Sequence, residues 1–108
     1  MPRPTSTVAP VVDLSEEAIR HIGELVAFYE ARDRDAAIRA LVKAVDDARM
    51  AISNNPFVGV VAPRPYPGLA HPGRRWFKSG RYWIAYLVGE PSTITGVFFE
   101  TADILGRI

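Results

Sequence analysis

The chain of 108 residues has no cysteine, only two histidines, and no apolar run approaching the ~20 residues that a membrane-spanning helix requires. Each absence removes a class of function. Without cysteine there is no disulfide framework, thiolate nucleophile or cysteine metal site, and a reducing compartment is compatible. With histidine only at His21 and His71, proton-transfer chemistry near neutral pH has few carriers. Met1 to Val8 lacks the charged-then-apolar order of a secretory signal, so a cytoplasmic address is expected. No carboxylate pair with metal spacing, glycine loop that cradles phosphate, or Ser-His-Asp arrangement is present, and no cofactor or metal is expected.

One sign of charge is missing from a third of the chain. From Asp13 to Met50 nine acids face six bases, whereas Phe57 to Gly89 holds Arg64, Arg74, Arg75, Lys78 and Arg81 and not one Asp or Glu. A local excess of that kind draws phosphates or an acidic partner, while the net charge of +1 argues against bulk coating of nucleic acid. The plainer alternative is a solvated strand face.

What is present reads as one domain over 8–108 behind a disordered lead over 1–7. The 48% hydrophobic and 23% charged composition is that of an ordinary globular protein, and the length suits a single core. Val8 to Leu14 is a short β-branched run in which Pro10 confines the chain to a sheet edge or the first part of a strand. Ser15 caps a helix that carries Glu16 and Glu17 in its first turn. Its stripe is Ala18, Ile19, Ile22, Leu25, Val26 and Tyr29, ending near Glu30. His21 falls off that stripe, four residues after Glu17, and reads as a surface pair. After a polar break at Ala31 to Asp35, a second stripe of Ile38, Leu41, Val42, Val45, Ala48 and Ile52 predicts another helix, stopped before Asn54, Asn55 and Pro56. The short break makes the two a helical hairpin.

From Pro56 to Gly73 proline and glycine recur too often for a helix or an inner strand, and a surface loop is expected, with His71 solvent-facing or locally bonded. Three strands follow as a meander: Arg74 to Lys78, a Ser79-Gly80 turn, Arg81 to Val88, a turn at Gly89 to Pro91, and Ser92 to Phe99. The fold class is α+β in the order β-α-α-β-β-β, a helical hairpin packed on one face of a small, mainly antiparallel sheet. Helix and strand lengths, each about 25 Å, match well enough for the hairpin to cover that face.

With Ser79 and Gly80 as the turn, Lys78 pairs with Arg81 and Trp76 with Trp83. Phe77, Tyr82, Ile84 and Tyr86 then form the floor for the helices. Arg74, Trp76, Lys78, Arg81, Trp83, Ala85 and Leu87 collect on the opposite face. Two tryptophans flanked by bases suit an amphipathic partner segment, or a nucleic acid stacking on the indoles. A structural tryptophan pair is the alternative. The candidate partner-binding residues are therefore Arg74, Trp76, Lys78, Arg81 and Trp83.

The order of Ser15-Glu16-Glu17-Ala18, Asn55-Pro56 with Gly59, Arg74-Arg75, Gly80-Arg81-Tyr82, Tyr86 and Asp103 resembles the RelE/ParE superfamily of bacterial toxins, over Val12 to about Ile104. The resemblance implies the toxin of a type II toxin-antitoxin system, held in a hetero-oligomer by a cognate antitoxin and inhibiting growth when released. No membrane contact and no sequence-specific DNA binding by this chain are implied. One branch of the superfamily cleaves messenger RNA on the ribosome, and the ParE-like branch blocks DNA gyrase. Cleavage needs a base for the 2′-hydroxyl, an acid for the leaving oxygen and cations for the phosphate. Here Trp83 stands where the ribonuclease branch leads one to expect arginine, and Phe98 to Asp103 lacks the expected His and Arg. The ParE-like branch, a gyrase inhibitor without catalytic residues, is the better match, although Phe99 and Thr101 depart from its usual ending. The alternatives are a RelE-type endoribonuclease with Arg74, Arg75, Lys78 and Arg81 on phosphate, Arg75 and His71 being the further candidate target contacts, and a degenerate, non-toxic binding module.

Overall fold

A computed structural model describes residues 11–63 and 67–101. The lead over 1–7, the start of the expected first strand, Arg64 and Asp103 lie outside the described residues. The chain runs β1 (Val12–Leu14), α1 (Glu16–Glu30), α2 (Asp35–Asn54), a 3-10 turn at Pro67–Leu69, β2 (Arg74–Ser79), β3 (Tyr82–Leu87) and β4 (Ser92–Phe99). The four strands form one mixed sheet in the order β1-β4-β3-β2, with β1 parallel to β4 and the other pairs antiparallel. The α+β class expected from the sequence is the class observed.

Local chemistry fixes the helices. The Ser15 hydroxyl accepts from the Ala18 N–H at 3.1 Å, satisfying one of the donors that a helix start leaves over. Between the helices Asp33 takes a φ of 52°, a left-handed conformation that aspartate tolerates better than most residues. The Arg34 N–H returns to the Tyr29 carbonyl. α1 lies over β4, while α2 lies over β2 and β3. Their buried residues, among them Ala18, Tyr29, Leu41, Ala44, Val45, Ala48 and Ile52, enclose one core with Tyr82, Ile84, Tyr86, Ile94 and Val97. The expected floor of Tyr82, Ile84 and Tyr86 is thus observed, with Phe77 partly buried against it. Three further bonds lock the layers: Ser79 Oγ donates to the Ala44 carbonyl at 2.7 Å, Arg49 Nη2 to the Val12 carbonyl at 2.9 Å, and Tyr86 Oη to the Pro56 carbonyl at 2.6 Å.

The first hairpin turns one residue later than expected. Ser79 pairs with Tyr82, so Gly80 and Arg81 form the turn. Gly80, at φ 57°, takes the positive-φ position that such a two-residue reversal needs at its first residue. Consequently Trp76 pairs with Ala85 and Trp83 with Lys78, and the two indoles are diagonal neighbours rather than partners.

The second face is also not open in the way expected. Val60 bridges to Trp76 with two bonds of 2.7 Å, drawing the proline-rich loop alongside the outer edge of β2. That loop lays Leu69 and Ala62 over a second, smaller core of Trp76, Ala85 and Phe98, with Trp83 half-buried at its margin. Trp76 is 0% exposed. It is buried by the loop and not by the helices.

Candidate functional site

The hairpin bases that the sequence leaves without an opposing acid acquire one through strand pairing. β4 runs past Phe99, and the Glu100 N–H donates to the Arg81 carbonyl, so the Glu100 carboxylate sits beside the turn. It receives Lys78 Nζ at 3.0 Å on one oxygen and Arg81 Nε at 2.7 Å on the other. Hydrogen bonds from these two cations hold its carboxyl below the usual range. The expectation of an unopposed basic hairpin is corrected here. A linear window cannot see a residue that the sheet brings back from nineteen positions away.

The other two bases are tied to the loop. Arg74, half-buried, donates from Nη2 to the Leu69 carbonyl and lies 5.3 Å from the Trp76 ring, while its Nε is buried without a hydrogen-bond partner among the described residues. Arg75 lies on the opposite side of the strand. It donates to the Gly59 carbonyl at 2.7 Å and lies over the Phe57 ring. Gly59 has no room for a side chain, since a Cβ there would meet the Trp76 carbonyl oxygen at 2.7 Å and the Tyr86 ring at 2.9 Å. Its N–H donates to the Tyr86 hydroxyl at 3.0 Å. Burial pushes the Tyr86 phenol up, with the Gly59 bond and nearby Arg75 opposing that push.

His71 is exposed, with Nδ1 donating to the Pro72 carbonyl at 2.9 Å, the local bonding that its position suggested. His21 departs from expectation. It is buried, its Nδ1 accepts the Val97 N–H at 3.2 Å, and its ring lies 4.9 Å from that of Phe98. Its spacing carries the signal for this: Ala18, His21, Leu25 and Tyr29 follow one another at three and four, and Ile19, placed on the stripe, is 57% exposed.

Glu17, His21, Arg74 and Thr95 converge on a pocket of about 130 Å³ at the α1 end of the smaller core. This brings an acid, an imidazole and a guanidinium together from distant positions. The His21 Nδ1 lone pair and Arg74 Nη2, however, are already committed to the fold. On the sheet face Trp83 remains half-exposed with Lys78 Nζ 5.7 Å from its ring, and Leu87 is exposed beyond it.

No protein-family model matches the chain, and no curated protein matches it in sequence.

Proposed function

We propose that the chain is the toxin of a type II toxin-antitoxin pair, of the ParE-like branch of the RelE/ParE superfamily, which binds its target without chemistry of its own and is neutralised by a cognate antitoxin in a hetero-oligomer. Carrying this reading is the order of elements: an edge strand, a helical hairpin, and a three-stranded meander whose last strand takes the first as a parallel neighbour. The β-α-α-β-β-β order, with Asn55-Pro56, Gly59 and Gly80-Arg81-Tyr82 at its junctions, is what the resemblance implies.

Inhibition by binding is favoured over RNA cleavage by the state of the bases. Arg74 and Arg75 hold loop carbonyls, and Lys78 and Arg81 share Glu100, so each is engaged within the fold. A phosphate arriving at Lys78 would meet the Glu100 carboxylate already in place. Trp83, with Lys78 over it and Leu87 exposed further along the strand, is the part of the face that offers an accessible aromatic anchor. DNA gyrase is the proposed target.

Supercoiling by purified gyrase in the presence of the chain is the direct test. Inhibition that is relieved by the antitoxin supports the reading, and full activity at a large excess of the chain sinks it. Trp83→Ala weakens antitoxin binding more than tenfold on this reading while leaving the melting temperature within a few degrees. Intact binding with a large loss of stability would remove the assigned surface.

A further inference from the structure

The α1–α2 link and the β2–β3 turn lie at the same end of the molecule, and between them is a cleft of about 790 Å³, within the size range of small-molecule sites. Its walls are mainly apolar, from Leu25, Phe28, Ala37, Ala40, Val97 and Phe99. On its floor the hydroxyls of Tyr29 and Tyr82 are 2.5 Å apart. Two arginines line it from separate elements, Arg34 at the start of α2 and Arg81 in the hairpin turn. Both lie near enough to the Tyr82 hydroxyl to favour its ionisation, against the larger upward effects of burial and the Tyr29 bond. Arg34 makes no ion pair among the described residues, and Arg81, whose side chain is 70% exposed, is bonded to Glu100 through Nε, with no ion pair among the described residues at its two outer nitrogens.

We propose that this cleft binds an apolar small molecule ending in a single carboxylate, with the tail among Leu25, Phe28, Ala37 and Phe99 and the head between Arg34 and Arg81. Guanidinium forks match carboxylate geometry, and two from separate elements, both near the Tyr82 hydroxyl, define a head-group position that an apolar cleft alone would lack. One negative charge suits the site better than two, because Glu100 already offsets part of Arg81 and Glu24 lines the same cleft. A cationic head has two guanidiniums against it, and a neutral head gains less from them because its hydrogen bonds lack the opposite charge. Neither Trp83 nor Leu87 lines the cleft, so its occupancy stands or falls independently of the toxin reading.

Calorimetric titration of the full chain with decanoate, 1-decanol and decyltrimethylammonium, each below its micellar concentration, separates head from tail. Decanoate is expected to bind at least tenfold more tightly than decanol, and the ammonium compound weakest. The double substitution Arg34→Gln with Arg81→Gln brings decanoate down to the level of decanol, and Ala40→Trp, which fills the cleft from an exposed position on α2, removes both. Equal affinity for decanoate and decanol in the unsubstituted chain overturns the proposal without recourse to any variant. So does the absence of decanoate binding alongside capture of an acidic, apolar peptide, which would make the cleft a protein-docking surface.

Discussion

Tyr82 is 3% exposed and its hydroxyl has that of Tyr29 for a partner, so each buried phenol depends on the other. Tyr82→Phe is expected to cost about 1–3 kcal/mol in chemical denaturation, because the Tyr29 hydroxyl is left buried and unpaired. The double substitution to phenylalanine should cost less than Tyr82→Phe alone, since it removes both ends of the bond. The pair also sets an alkaline limit. Burial, then the Tyr29 bond, pushes the Tyr82 phenol above its ordinary value. The unfolded chain therefore loses this proton first. The stabilisation is whole below about pH 10 and declines as the pH rises past it. Urea midpoints between pH 9 and 11 should fall more steeply for the unsubstituted chain than for the double phenylalanine variant. Glu100 gives a matching test at the acid side. Its carboxyl resonance should titrate below the usual glutamate range and move back toward it when Lys78 and Arg81 are both replaced by methionine. An unmoved titration would mean that the two cations do not hold it in solution.

At the level of elements, β1 covers only Ser92–Ile94 of β4, and the rest of that strand has α1 as its neighbour instead. His21 supplies the acceptor that a further strand would have given to Val97. His21→Ala should therefore speed exchange of the Val97 amide by at least tenfold while leaving the amides of β3 slow, as removal of a local partner requires. On the far side Gly59 is fixed by backbone and ring contacts, and Gly59→Ala is expected to cost about 1–3 kcal/mol by forcing the loop away from Trp76 and Tyr86. Both helices were legible in the sequence because apolar spacing at three and four is a local signal. The sorting of the hairpin into faces was legible as well, even though the turn falls one residue later than expected. Moving a two-residue turn by one position shifts the pairing by two, and two is the period of a strand, so every side chain keeps its face while changing its partner. What sequence could not reveal is what arrives from a distance: Val60 on the edge of β2, Leu69 over Trp76, and Glu100 between Lys78 and Arg81. Within the candidate site the residue types were legible, and their availability was not.

Across the whole molecule one sheet serves two cores of unequal closure. The helices seal the larger with long amphipathic faces, whereas the smaller is closed by a loop whose regular structure among the described residues is a 3-10 turn and the Val60 bridge. Leu69, 4% exposed, is the main apolar side chain that this loop contributes. Loss of the loop opens the smaller core without unpairing β3 from β4, so its opening free energy lies below that of global unfolding. The two tryptophans report on this separately from the helices, because Trp76 belongs to the smaller core and Trp83 stands at its margin. Leu69→Ala, expected to cost about 2–5 kcal/mol if its full effect reached the global transition, should instead act mostly on the loop. In that variant acrylamide should quench a previously protected tryptophan at denaturant concentrations where helical circular dichroism is still native. Trp76→Ala, which empties the same core from the sheet side, should lower the stability of the helices too, because the cavity it leaves lies against β2 and β3, the strands that α2 packs on. Coincident fluorescence and dichroism transitions in Leu69→Ala would show the loop to be as cooperative with the sheet as the helices are, and would place the proposed Trp83 surface on a rigid body instead of beside a segment that opens.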